Sequence, residues 1–155
     1  CPPNERSYRD LSYYVEITER CGAPGEYAQP YVLAHEIGHH VQNLLGTDDR
    51  VRRDTAANKG RENELSVRTE LQADCYAGVW ARDAAPRLNI TQQDIDEGMR
   101  AASAIGDDTL QRATQGRVVP DAFTHGTAEQ RSRWLMTGMK SGDPNDCDTF
   151  NSRQL

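Results

Sequence analysis

Apolar residues recur at helical spacing along most of the chain, whereas the alternation typical of strands is sparse. The first clear segment begins near residue 26 or 30 and runs to Leu45, where Gly46 ends it. Pro30 fits only near its first turn, because a proline deeper in a helix breaks the hydrogen bonding. Apolar residues flank the polar positions of this segment, which predicts a substantially buried helix; they are Val32, Leu33, Val41, Leu44 and Leu45.

The remaining pattern predicts more helices, joined by polar loops. Further helices are predicted over 11–20, 61–85, 92–104, about 107–114 and about 127–139. Loops or irregular segments are predicted over 47–61, 115–123 and 143–155, and a short strand over 7–10. Pro86 should end the long helix, and Thr91 should cap the next one. Thr127 and Gln130 form a capping-box pattern that predicts the start of the last helix.

Composition limits the chain to a small domain with a lean core. It has 155 residues, 36% of them hydrophobic, with a mean hydropathy of −0.82. This length predicts one domain over residues 1–155, and the sparse strand signal predicts the mainly α class. No apolar run approaches the ~18–20 residues of a membrane span. The net charge of −6 and the lack of a basic cluster argue against a nucleic-acid partner.

A metal-binding pattern lies within the first predicted helix. Residues 35–39 read His-Glu-Ile-Gly-His, and histidines four apart project from the same helix face. His35 and His39 are therefore predicted ligands of one zinc ion, because catalytic zinc needs three protein ligands and an open position for water. Glu36 would take a proton from that water. The simplest alternative is a coincidental pair of surface histidines on a helix without metal.

The third ligand is expected on the long helix that follows. A histidine at the spacing used by one known zinc motif is excluded, because Gln42 and Leu45 occupy the relevant positions. The candidates are Glu62, Glu64 and Glu70. Glu70 stands out because Ala73, Asp74 and Ala77 share its helix face and the small alanines would let two helices approach closely.

Two further polar residues have both a functional and an ordinary interpretation, and a third is interpreted as structural. Asp74 would accept a hydrogen bond from a ligand histidine and orient its ring, or it is a solvated helix residue. His125 precedes the last helix and is either a donor to the oxyanion of the reaction or a surface loop histidine. His40 points about 100° away from its neighbouring ligand and is interpreted as structural.

These segments resemble the bacterial neutral zinc metallopeptidases, a secreted or membrane-anchored group of gluzincin-type zincins. The resemblance covers nearly the whole chain; it is carried by residues 31–42, 70–80, 104–108, 123–126 and 147–150, with Arg131 and Trp134. It implies zinc bound by His35, His39 and Glu70, with Glu36 as the catalytic base. It also implies an α+β zincin-like fold, in which the active-site helix packs on the helix of the third ligand beside a small or truncated N-terminal sheet.

The chain departs from the family pattern in two ways. Family members carry a longer N-terminal part that supplies strands and often a membrane anchor, and a chain starting at Cys1 would lack some of it. Without a starting methionine or signal pattern, we expect a processed or shortened chain with weak peptide binding. In addition, Cys21 stands where relatives usually have an apolar residue.

Four cysteines predict two disulfides and an extracytoplasmic location. Cys75 should pair with Cys147, because a tail with few apolar residues would fray unless it were tied to a buried helix. Cys1 would then pair with Cys21. The two other connectivities rank lower because they would pull the N-terminus or first helix onto the metal helix. Four reduced thiols, or a lipid-modified Cys1, are the alternatives.

The sequence therefore predicts a zinc-dependent peptidase acting on a peptide or protein, with Glu36 as general base. A zinc-binding interaction domain without peptidase activity is the first alternative, and a helical domain without metal is the second.

Overall fold

The computed structural model describes residues 28–155, and this part of the chain is mainly helical, as predicted. No strand occurs within residues 28–155. The six α-helices of this described part are α1 (Ala28–Leu44), α2 (Thr47–Ala57), α3 (Glu62–Leu88), α4 (Gln92–Ala104), α5 (Asp107–Gln115) and α6 (Ala128–Ser141). Three short 3₁₀ helices cover Lys59–Arg61, Pro120–Ala122 and Pro144–Cys147.

Several predicted features fall on residues 1–27, outside the described part. They are the strand over 7–10, the helix over 11–20, the N-terminal sheet and the Cys1–Cys21 disulfide. Among the described helices, none combines the length and apolar character needed to cross a membrane.

The prediction of a loop over 47–61 was wrong, since most of this segment is α2. Asp48 and Asp49 lie in its first turn, where their charge complements the helix dipole. Arg52 pairs with Asp49 at 3.3 Å, and Arg50 lies 5.3 Å from the centre of the Phe150 ring. No residue of α2 is buried, so the apolar pattern that reveals most helices is missing here.

Proline also misled the prediction at the end of α3, which continues through Pro86 to Leu88. Proline has no backbone N–H, so Pro86 does not donate a hydrogen bond to the carbonyl of Arg82, one turn earlier. Both residues are exposed, so the loss of this bond costs little stability. Asn89 then ends the helix with a positive φ of 51°. The predicted caps are confirmed, because Thr91 and Thr127 each form a complete capping box.

Helix α3 is the central element, and it packs most extensively against α6 and then against α1. One apolar cluster joins α1 and α4 to α3 and α6; it contains Tyr31, Val32, Ala34, Ala77, Ala101, Ala102 and Leu135. A second joins α3 and α6 to the C-terminal tail; it contains Val67, Leu71, Cys75, Phe123, Trp134 and Cys147. The two clusters fix α3 from several directions.

Two glycines allow the close contact between α3 and α6. A Cβ on Gly78 would overlap the carbonyl oxygen of Leu135, and a Cβ on Gly138 would overlap that of Cys75. Both obstacles are backbone atoms of a helix and cannot move away as a side chain would. Only glycine permits this helix separation at either position.

Gly138→Ala should therefore lower the free energy of unfolding by about 1–3 kcal/mol, the usual effect of overpacking. Chemical denaturation would measure it. Gly60→Ala is a suitable control, because its added Cβ would meet only a side-chain oxygen of Asn58, at 3.3 Å. A Gly138→Ala protein as stable as the unsubstituted chain would contradict this account of the packing.

The predicted disulfide between Cys75 and Cys147 is confirmed; the residues are 72 positions apart in sequence and their Cα atoms are 5.6 Å apart. It ties the tail to α3, as expected from the tail's lack of apolar residues. A loop of this length predicts a stabilisation of about 4 kcal/mol in the chain-entropy model. Thr149 adds to the attachment, because its hydroxyl donates to the carbonyl of Arg68 at 2.7 Å.

Candidate metal centre

The candidate metal centre lies where α1 crosses α3. Gly38, the fourth residue of the His-Glu-Ile-Gly-His segment, faces the backbone of Ala73, and a Cβ there would lie 2.9 Å from the Ala73 oxygen. Ala73 itself is fully buried. The small residues on both helices thus bring the two histidines of α1 close to the carboxylates of α3.

His35, His39 and Glu70 converge at this crossing. One ligand atom from each side chain, a ring nitrogen or a carboxylate oxygen, lies within 4.8 Å of the other two. His35 Nε2 is 3.1 Å from His39 Nε2 and 3.2 Å from Glu70 Oε2, and His39 Nε2 is 3.4 Å from Glu70 Oε1. In the described part of the chain, no other group of histidine, cysteine and acidic side chains meets this criterion.

Asp74 holds the other side of the His35 ring and belongs to a buried network. Its Oδ1 lies 2.7 Å from His35 Nδ1 and accepts the Tyr31 hydroxyl at 2.6 Å. Arg131, from α6, donates to both oxygens of Asp74 at 2.9 Å. Arg131 and Asp74 are 2% and 0% exposed, so this ion pair joins α3 to α6 in the interior.

The charges of this network determine the hydrogen position on His35. Burial alone would raise the pKa of Asp74, but Arg131 and His35 hold that pKa below its usual range. Burial raises the pKa of Tyr31 well above its ordinary value, so its hydroxyl keeps the proton that it donates. Because Asp74 is then an acceptor only, His35 carries a proton on Nδ1.

Gln42 orients the second histidine. Its side-chain nitrogen donates to the carbonyl of Thr69 at 2.8 Å, and its oxygen lies 2.8 Å from His39 Nδ1. A carbonyl can only accept, so the amide cannot be turned round. The oxygen of Gln42 must therefore face His39, whose Nδ1 carries a proton and donates it.

These assignments make the converging atoms fit a cation. With Nδ1 of each ring engaged as a donor, the two Nε2 atoms and the Glu70 carboxylate face one another as acceptors. Burial lowers the pKa of His39, yet Glu70 raises it overall. Burial would raise the pKa of the half-buried Glu70, but the two histidines hold that pKa far below its usual range. Two imidazole nitrogens and a carboxylate are the ligand set of many catalytic zinc sites.

The alternatives for the third ligand are not part of this group. Glu64 pairs with Arg61 and Arg68, each at 2.9 Å, and these bonds lower its pKa to about 2. Glu62 and His40 also lie outside the group. Glu36 is partly exposed on α1, between the two histidines.

His125 lies in a separate cluster at the start of α5. Its Nδ1 is 3.2 Å from Asp107 Oδ1 and 3.0 Å from the Thr124 hydroxyl, and its side chain is 51% exposed. Asp107 Oδ2 accepts the backbone amides of Thr124 and His125, each at 2.7 Å, and that of Gly126 at 3.2 Å. Buried Asp107 thus fixes the loop that carries His125.

An open groove of about 650 Å³ reaches the centre along α2 and α3. Its walls include Val51, Thr55 and Ala56 from α2, with Glu62, Ser66 and Glu70 from α3. Glu70 therefore belongs both to the converging group and to the groove. Helix α2, which the sequence pattern did not predict, forms one wall of the groove.

Three residues of the centre had no assigned role in the sequence interpretation. Gln42 follows His39 by three positions, and this helical spacing could have revealed it. Tyr31 precedes His35 by four positions, a similar signal. Arg131 is 57 positions from Asp74 in sequence, so no local spacing could have paired the two residues.

Comparison with known proteins agrees with this geometry. Residues 1–150 match a family model described as "Putative neutral zinc metallopeptidase". The chain belongs to this family. The resemblance noted in the sequence is thereby confirmed at the level of the family.

Individual relatives cover the chain almost completely. It is 51% identical over 151 residues to uncharacterized protein YpfJ of Escherichia coli K12, a match that covers 97% of this chain and 53% of that protein. It is 43% identical over 166 residues to uncharacterized protein Mb2605 of Mycobacterium bovis, a match that covers 100% of this chain and 55% of that protein. The chain thus spans about half the length of the curated relatives it matches. No solved structure matches it.

Proposed function

We propose that this family member is a zinc-dependent peptidase and that residues 1–155 form one zincin-like metallopeptidase domain. The observation that carries the proposal is the convergence of His35 Nε2, His39 Nε2 and the Glu70 carboxylate within 4.8 Å. Three acceptors in this arrangement form a site for a cation, and their chemistry suits zinc. We assign these three residues as its ligands, with Asp74 orienting His35.

The reaction is hydrolysis of a peptide bond. When bound, zinc supplies Lewis acidity, which lowers the pKa of water at its open position toward ~7 and polarises the scissile carbonyl. Glu36, between the two histidines, accepts the proton of the attacking water. It then passes this proton to the leaving nitrogen.

His125 is proposed to donate a hydrogen bond to the oxyanion that forms at the carbonyl. Support comes from Asp107, which holds the Nδ1 edge of the ring at 3.2 Å and leaves Nε2 as the atom for a substrate oxygen. His125 would then assist the reaction without binding the metal.

The groove along α2 and α3 is proposed to hold the peptide or protein substrate, because it opens at Glu70.

We infer an extracytoplasmic location, since the Cys75–Cys147 disulfide is typical of oxidising compartments.

Metal analysis and a peptidase assay test the proposal together. The purified protein should contain about one zinc per chain, as expected for a site with three protein ligands. His35→Ala, His39→Ala and Glu70→Ala should each remove it, whereas His40→Ala and Glu64→Gln should retain it. Zinc retained by the Glu70→Ala protein would refute the ligand assignment. A zinc-loaded protein that cleaves no peptide would favour the non-enzymatic alternative.

Asp74→Ala should weaken zinc binding by about 10–100-fold, because His35 loses the acceptor that fixes its ring. Competition with a chromogenic chelator would measure the dissociation constant. Asp83→Ala is a matched control on the exposed surface of α3. An unchanged zinc affinity would show that Asp74 has only a structural role.

A further inference from the structure

A chain of hydrogen bonds leads from His39 to the disulfide. Gln42 accepts from His39 and donates to the side-chain oxygen of Gln72 at 3.0 Å. Gln72 in turn donates to the carbonyl of Cys147 at 2.9 Å. Gln42 and Gln72 are 0% and 7% exposed, so water does not compete for these bonds.

Each bond in this chain has only one possible direction. The carbonyl of Cys147 is an acceptor, so the nitrogen of Gln72 must face it and its oxygen must face Gln42. The nitrogen of Gln42 then faces Gln72, and its oxygen faces His39. The carbonyl of Thr69 and, through Gln72, the carbonyl of Cys147 thus both hold Gln42 in the orientation that places the proton on Nδ1 of His39.

The tail is itself held firmly in place. The disulfide fixes Cys147 to α3, and the hydroxyl of Thr149 is bonded to Arg68 on the same helix. The guanidinium of Arg68 also donates to the carbonyl oxygens of Thr149 and Ser152. The Cys147 carbonyl is therefore a fixed acceptor, which a freely moving tail could not offer.

The two histidines consequently have different supports. His35 depends on an ion pair between α3 and α6, and His39 depends on two neutral amides and the tail. Histidine ligands need a partner at the nitrogen that does not bind the metal, because this partner fixes the tautomer and ring orientation.

We propose that Gln42 and Gln72 are positioning residues of the metal centre, and that through them the disulfide-anchored segment at Cys147 supports metal binding by His39. The inference rests on the proposed zinc site. It adds to that site a dependence on the C-terminal tail, which contributes no ligand. Loss of the link should weaken zinc binding while the protein stays folded.

Zinc affinities of single variants of the full chain test this link. Gln42→Leu should weaken zinc binding by about 10–100-fold, since His39 loses its acceptor. Gln72→Glu keeps an acceptor for Gln42 but cannot donate to Cys147, and should weaken binding by about tenfold, at the low end of that range. The control is Gln92→Leu, an exposed glutamine on α4 that should leave the affinity unchanged.

Cobalt substitution separates positioning from general destabilisation. The visible absorption bands of bound Co²⁺ report ligand geometry, so they should shift in the Gln42→Leu and Gln72→Glu proteins and stay unchanged in Gln92→Leu. Circular dichroism would establish that all three variants are folded. Unaltered bands together with unaltered zinc affinity would overturn the inference.

A double-mutant cycle tests the role of the disulfide. Cys75→Ala with Cys147→Ala should weaken zinc binding, and adding Gln72→Glu should cause little further loss, because both changes interrupt the same link. Fully additive losses would overturn the role of the tail. If the cysteine variant does not fold, the Gln72→Glu affinity decides alone. A wild-type protein that binds no zinc overturns both proposals, whereas normal zinc binding in every glutamine variant overturns only this one.

Discussion

Glu36→Gln should keep its zinc and lose peptidase activity by about 10²–10⁴-fold, the usual contribution of a general base. The amide is nearly the same size as the carboxylate but does not accept a proton from water. The metal should stay, because the three predicted ligands and their hydrogen-bonding partners are unchanged. Zinc content and initial rates of peptide cleavage, measured on the same preparation, would test both expectations.

Glu129→Gln is the matched control, since Glu129 is exposed on α6 and pairs only with Arg133 among the contacts described. It should retain full activity. Substantial activity in the Glu36→Gln protein would remove Glu36 as the base, and loss of zinc in that protein would mean that Glu36 supports the metal centre instead.

Arg131→Met should lower the free energy of unfolding by about 3–5 kcal/mol, because it leaves the buried Asp74 carboxylate without its cation. Asp74 is completely buried and accepts two hydrogen bonds from Arg131. Chemical denaturation with a chelator present would measure this effect without the contribution of bound zinc. Zinc affinity should also fall, since Asp74 orients His35.

Two variants make this test specific. Arg131→Lys keeps the charge but not the paired donors, so its loss of stability should be intermediate. Arg112→Met, on the exposed surface of α5, should change stability by no more than about 0.5 kcal/mol. An Arg131→Met protein as stable as the Arg112→Met protein would contradict the importance of the buried ion pair.

The success of the helix prediction followed the strength of the local signals. Capping residues such as Thr91 and Thr127 and the apolar stripes of buried helices act within a few positions of the chain, so their effects can be read from sequence. Helix α2 was missed because most of its residues are polar and none of them is buried. Pro86 was given too much weight, because it lies in an exposed last turn.

The sequence alone determined the parts of the centre that depend on helical spacing. His35 and His39 are four positions apart on α1, and Glu70 and Asp74 are four apart on α3, so each pair had to share a face of its helix. The small residues Gly38 and Ala73 made a close crossing of these helices possible. The pairing of Cys75 with Cys147 followed from the need to hold a polar tail.

Only the tertiary structure decided which distant groups support those residues. Arg131 meets Asp74 across 57 positions, and Gln72 meets the carbonyl of Cys147 across 75. Such contacts depend on how whole helices pack, and many polar residues in this chain could in principle have filled these roles. The close packing of α3 and α6 at their glycines decided which polar residues meet. A buried carboxylate or amide needs its partners within hydrogen-bonding distance, so only these residues could serve.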